Sequence, residues 1–315
     1  MTITLGPKAD LVFGRTGSTK TTQVGHMAEY IMEKYGQKTR LVSADPGGWI
    51  SIEHLCSAGI IDPVQINLQT PFPLEAITRY SMGWWPDAHG KLVKAEVPKD
   101  VGAYAFEGLS TFSILIMSNL VSRKDIHIPD TPKESWVDDK LEGGGMHWGF
   151  SGRAHYGFIQ QRMYEIVTNS NHLPVHKVLW TAHETDAKDN QKRAIMGPQI
   201  IGEAMTGQCG AWFGAMLHMF PVEKSVQADD PIDKGKKISI SRYVPIMFLR
   251  DHIDPKDTYK IPFMAKPRGP SSLWQEWPDY MEPNIGNFYK KLDTMAQKAL
   301  DEIRAKQEAK RAKGG

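Results

Sequence analysis

The chain has 315 residues, 41% of them hydrophobic and 23% charged, with a formal net charge of only +2. That is apolar material for one large core or two modest ones, and the balanced charge excludes nucleic-acid binding by bulk basicity, leaving local basic surface as the alternative. Two cysteines, Cys56 and Cys209, without Cys or His at metal-ligand spacing, exclude a disulfide framework and read as reduced thiols in or near the core.

In chain order, the opening MTITLGPKAD lacks the apolar stretch of a signal peptide, and later apolar runs are short and interrupted. Neither export nor a membrane-spanning helix is expected, and a cytoplasmic location follows by elimination. Ala9–Phe13 predicts a short buried strand, Gly14–Thr22 a glycine-containing turn, and Thr21–Tyr35 a helix with Val24, Met27, Ala28 and Ile31 along one face. Strands are predicted at Arg40–Ala44, closed by Asp45-Pro46-Gly47-Gly48, and at Val64–Asn67; Trp84–Pro98 reads as a loop or excursion. Ala103–Phe106 is a strand ending in Glu107, followed by an apolar helix over Ser110–Val121. Pro129–Gly149 reads as a long loop, and loops of that size tend to be functional. Gly152–Asn169 reads as a helix with Tyr156, Ile159, Met163 and Ile166 in a stripe, and Lys177–Ala182 as a strand ending in His183-Glu184. Then come sheet segments at Ala211–Phe220, Lys237–Val244 and Pro245–Arg250, a basic turn at Met264–Pro270, a linker, and a helix from Asn287 to Lys313. The predicted organisation is a core over 1–270, a linker over 271–286 and a basic C-terminal helix over 287–315. Strands alternating with helices imply an α/β fold: a mostly parallel sheet flanked by helices, with antiparallel strands added in the second half.

The segment Gly14-Arg15-Thr16-Gly17-Ser18-Thr19-Lys20-Thr21-Thr22 lies between a strand and a helix, the context a phosphate loop requires. Backbone amides of such a loop point inward at phosphate oxygens, and the following helix adds its positive end. Lys20 would neutralise β- and γ-phosphate charge, and the Thr21 hydroxyl would go to Mg²⁺. The usual motif has Gly where this chain has Thr19. A β-branched residue disfavours positive φ, so the loop is expected to take an ordinary dihedral there or to bind more weakly.

Phosphoryl transfer needs a held Mg²⁺ and a positioned water. Glu107 stands at a strand end, where a Walker B acid holds Mg²⁺ through water, and Asp45 ends the strand after the loop's helix. Both are expected at the carboxyl edge of the sheet, where open α/β folds bind ligands. Gly108 follows Glu107, so the second acid is expected from another strand, with Asp45 the best candidate. His183, ending a further strand, could sense the γ-phosphate as a donor.

This order of motifs resembles the RecA-like P-loop ATPases, and more narrowly the phage-encoded single-strand-annealing, RecA-like ATP-binding proteins. The resemblance is carried by GRTGSTKTT at Gly14–Thr22, LVSADPGG at Leu41–Gly48, YAFEGLS at Tyr104–Ser110, LPVHKVLWTAHE at Leu173–Glu184 and GPQIIGEAMTG at Gly197–Gly207. It implies ATP with Mg²⁺ as ligands, Asp45 as the catalytic carboxylate and Glu107 as the Walker B acid, where the family usually carries the shorter Asp. MAKPRGP at Met264–Pro270 is similar to the Lys-x-Arg turn of DnaB-type ring helicases. That similarity implies Lys266 and Arg268 reaching a neighbouring subunit's γ-phosphate in a homo-oligomer with shared sites. Such a cation is worth roughly 10³–10⁵ in rate.

A single-stranded DNA partner is expected on weaker grounds. The 142–153 stretch, with three consecutive glycines, Trp148, Phe150 and Arg153, offers close backbone approach and base stacking. The C-terminal helix is locally basic and could touch phosphates, with a solvated face the favoured reading. Three functions are therefore carried: a DNA-acting recombination or annealing ATPase, a ring-forming motor or loader, and a nucleotide-binding scaffold with little turnover.

Overall fold

The computed structural model describes residues 8–94, 96–122, 153–188, 193–201, 203–229, 237–254, 260–267 and 275–313. In chain order the elements are β1 (Ala9–Gly14), α1 (Lys20–Tyr35), β2 (Lys38–Ser43), α2 (Glu53–Ser57), β3 (Ile61–Gln65), α3 (Pro73–Ser81), β4 (Trp85–Pro86), β5 (Leu92–Val93), β6 (Val101–Glu107) and α4 (Leu109–Ser122). After them come α5 (Arg153–Asn171), β7 (Lys177–Ala182), β8 (Glu184–Lys188), β9 (Ala194–Pro198), α6 (Glu203–Gln208), β10 (Met216–Asp229), β11 (Lys237–Phe248), β12 (His252–Ile253), β13 (Pro262–Phe263), β14 (Tyr280–Met281) and α7 (Ile285–Lys313). The expected 129–149 loop lies outside the described residues.

The main sheet runs β14-β11-β10-β1-β7-β6-β2-β3. The pairs from β10 through β1, β7, β6 and β2 to β3 are parallel, and β10–β11 and β11–β14 are antiparallel. This is the expected α/β core, a mostly parallel sheet flanked by helices: β7 is inserted between the loop-bearing β1 and the Glu107-bearing β6, with antiparallel strands added on one side. A smaller sheet, β12-β13-β9-β8, continues from the end of β7.

Strand alternation divides the core. Leu11, Phe13, Tyr104, Phe106, Val178 and Trp180 pack under α3, α4 and α5, while Val12, Ala103, Ala105 and Leu179 pack under α1 and α7. Small residues on the second face let α1 lie close to the sheet.

Several expectations are corrected. β11 is one strand, not two. Pro245 does not break it because it faces Pro221 at a register that neither β1 nor β14 reaches, so no ladder hydrogen bond is lost. Pro63 sits inside β3, which is tolerated because β3 is the edge. The 3₁₀ turn at 209–212 replaces the start of the strand expected at Ala211. The described part of the expected linker is anchored to the core at Trp277, which is buried and stacks on Phe288 at 4.7 Å, and Tyr280–Met281 adds a strand, while most of its other residues are exposed or half-buried. Both cysteines are free, and burial pushes the Cys209 thiol up to about 12.

Candidate functional site

Register fixes the site. Gly14, Ser43, Glu107 and Ala182 all end parallel strands, pairing Phe13 with Ala182 and Ser43 with Glu107. Their following residues, the loop, Asp45, Gly108 and His183, therefore crowd one carboxyl edge.

The loop is built as a cradle. A side chain at Gly14 would collide with the Met219 carbonyl and Ser18 Oγ, so β1 can run this close to β10 only with glycine there. Gly17 takes φ 78°. Thr19 takes φ 65°, ψ 26°, left-handed, which overturns the expectation of an ordinary dihedral. A non-glycine residue pays about 1–2 kcal/mol for that conformation, and strain of this kind is typical of ligand clamps. Lys20 Nζ donates to the carbonyls of Gly14 at 3.0 Å and Arg15 at 2.7 Å, folding its ammonium inside the loop. Burial lowers the Lys20 pKa, opposed by the negative charges of Asp45, Glu107 and Glu184.

Thr21 Oγ1 donates to Glu107 Oε1, and Ser43 Oγ donates to Glu107 Oε2 at 3.3 Å. Glu107 is buried, and burial lifts its carboxyl to about 7 against those hydrogen bonds and Lys20. Asp45 accepts from Thr111 Oγ1. Gly108 has φ 93°, and a Cβ there would sit 2.7 Å from Asp45 Oδ1. The absence of a second acid after Glu107 thus has a steric reason: the carboxylate from β2 fills the place. Gly108 N–H donates to Thr181 Oγ1 at 3.0 Å, tying β6 to β7.

His183 is half-buried. Burial, then the Lys20 charge, lower its pKa, while Asp45 raises it, so the neutral imidazole faces both. Its backbone N–H donates to Ser110 Oγ at 2.9 Å, and Ser110 Oγ donates to Gln199 O at 2.7 Å. The TAHE and GPQIIG segments meet there. A cavity of about 360 Å³ opens beside them, lined by Arg15, Thr16, His183, Glu184 and Gln199.

Of the two predicted cations, one has a described position and stands apart. Lys266 forms a backbone bridge to Met216, three residues before the Met219 that pairs with Gly14, so it lies about 10 Å along the sheet from its own loop. Its pKa is lowered by burial, against Cys209 and Asp10. Arg268 lies outside the described residues, as do Trp148 and Phe150, and Arg153 only begins α5. No motif or periodicity joins Glu184, His218 and His252, which are 34 residues apart from one to the next. The structure links them to Arg15.

The residues fit a triphosphate with Mg²⁺. Ser18 Oγ and Thr19 Oγ1 are buried in the cradle without a hydrogen-bond partner, an arrangement that asks for a polar ligand. Among the described residues no group of three or more His, Cys, Asp or Glu could hold a metal alone. Thr21 and Glu107 would hold Mg²⁺ together with phosphate oxygens, the sharing usual for that ion.

No family model and no curated protein matches the chain. Among solved structures, a KaiC-like protein from the hyperthermophilic archaeon Pyrococcus horikoshii OT3 is similar, with 11% identity over 82% of this chain and 89% of that one, and a TM-score of 0.36. Among the described residues no helix is long and apolar enough to cross a membrane.

Proposed function

We propose that the chain binds Mg²⁺-ATP at Gly14–Thr22 and hydrolyses it, acting on single-stranded DNA as a homo-oligomer. The observation that carries the nucleotide reading is the convergence of Lys20, Thr21, Asp45 and Glu107 on a cradle whose own hydroxyls lack partners. Lys20 and the loop amides bind the phosphates. Mg²⁺, when bound, neutralises charge on the transferring phosphoryl oxygens. Asp45, fixed by Thr111 and the space above Gly108, orients the attacking water. In this reading His183 acts as a donor that reports whether the γ-phosphate is present, and its link through Ser110 to Gln199 supports a relay.

Lys266, distant from its own loop, suits a role at a neighbouring copy's site. Arg268 would share that role. The DNA reading rests on the sequence resemblance, and the exposed Tyr156 beside the Gln199–Ile201 groove is compatible with it.

ATP turnover with and without a single-stranded oligonucleotide, measured for the parent and Lys20→Ala proteins, tests this reading. The parent should turn over faster with DNA. Loss of a charge-assisted contact worth about 1.5–3 kcal/mol should weaken ATP binding by about 10- to 150-fold in Lys20→Ala and abolish turnover. Equal turnover in both proteins overturns the ATPase assignment. An absence of any DNA effect across a range of salt removes only the DNA partner.

A further inference from the structure

A line of titratable side chains runs inward from the phosphate loop. Arg15, 57% exposed, donates from Nε to Glu184 Oε1 at 2.6 Å, and the Glu184 side chain is only 6% exposed. The other oxygen, Oε2, lies 2.8 Å from His218 Nε2. His218 is fully buried and stacked against Phe13 and Phe263 at 4.8 and 4.5 Å. His218 Nδ1 is 3.2 Å from His252 Nε2, and His252 Nδ1 is 3.3 Å from the Arg250 carbonyl. His252 lines an open cavity of about 710 Å³ that also reaches Arg15.

The hydrogens in this line can be counted. Acceptors stand at both ends, a carboxylate and a carbonyl, and three contacts need three N–H hydrogens. Two neutral imidazoles supply two. The closest contact is to the carboxylate, so His218 Nε2–H donates to Glu184 and His252 Nε2–H donates to His218 Nδ1. The contact from His252 Nδ1 to Arg250 is left without a hydrogen. One proton entering at half-buried His252 fills that place, and a shift along the pair puts the positive charge on His218 against Glu184.

The surroundings favour neutral rings while Arg15 is in place. Burial lowers His218, Glu184 raises it, and Arg15 and Lys20 lower it further. Burial and then His218 lower His252 to about 4, opposed by the Arg250 carbonyl, Asp254 and Glu184. The remaining neighbours, Phe13, Phe220, Phe248 and Phe263, carry no charge.

We propose that Glu184 and His218 are positioning residues for Arg15: nucleotide binding draws the Arg15 guanidinium from Glu184 to the triphosphate, and the imidazole pair takes up a proton from solvent as the replacement counter-charge. The inference rests on the nucleotide reading above. A buried carboxylate does not tolerate losing its arginine uncompensated, and the pair has the open hydrogen position that compensation requires.

The test is calorimetric titration of the full chain with Mg²⁺ and a non-hydrolysable ATP analogue, in buffers of different ionisation enthalpy. Glu107 releases protons as Mg²⁺ binds, so the reading is the difference between the parent and its variants. The parent should take up about one proton more than Arg15→Gln or Glu184→Gln, because Glu184→Gln has no carboxylate to strand and in Arg15→Gln the imidazole pair already carries the proton before nucleotide binds. Arg15→Gln removes the moving cation and should bind more weakly, through the loop amides and Lys20 that remain. Binding with equal proton counts in all three proteins overturns this proposal alone. An absence of binding heat in the parent overturns the nucleotide reading and this proposal with it.

Discussion

Thr19 and Glu107 are each held in a state that solvent alone would not favour. Thr19 is left-handed with its hydroxyl buried and unpartnered, so Thr19→Gly removes strain and loses no hydrogen bond within the chain. After allowing for the entropy glycine loses on folding, the variant should gain about 0.5–1 kcal/mol, read as a higher urea midpoint at unchanged slope. A lower midpoint would show that the loop does not need left-handed backbone there. Glu107 has a folded pKa of about 7 against an ordinary 4.5, so the folded state binds its proton more tightly than the unfolded state. Its favourable contribution is complete below about pH 4.5 and is lost as pH rises to about 7, a change on the order of 3 kcal/mol. Magnesium-free protein should therefore lose stability across that window, and Glu107→Gln should flatten the profile. A parent profile as flat as the variant's would contradict the burial argument.

At the scale of elements, α7 is a core helix that continues as an exposed one. Ile285, Phe288, Tyr289, Leu292 and Met295 are buried against α1 and Trp277, and the polar residues beyond Met295 are mostly exposed. Phe288→Ala should cost about 3–5 kcal/mol in thermal or denaturant unfolding. Truncation after residue 300 should leave the unfolding midpoint nearly unchanged. A large loss from the truncation would assign the tail a packing role its exposure does not suggest. The prolines inside β3, β10 and β11 show the same logic: each is tolerated where the neighbouring strand is absent.

For the whole molecule, the strand order brings the ends of β1, β2, β6 and β7 to one edge while Lys266 stands further down β10. If the cations serve a neighbour's site, Arg268→Ala should bind nucleotide like the parent and turn over slowly. Mixing it with Lys20→Ala protein should then restore part of the activity, because some interfaces pair an intact loop with an intact cation. Mixtures no more active than their parts would place each site within a single chain.

The glycine-containing turn between the first strand and helix, the strand-end acids, the α/β alternation and the added antiparallel strands were legible in the sequence, because period and glycine placement are local properties. The order of the strands, the direct hydrogen bond from Thr21 to Glu107 and the reason Gly108 follows it were not, since each depends on strands 38 to 182 residues into the chain meeting at one edge. The anchoring of this segment by Trp277 and β14 was hidden by its prolines and polar residues, which read as a linker. Only tertiary structure joined Arg15, Glu184, His218 and His252, because hydrogen bonding across strands follows register and not spacing along the chain.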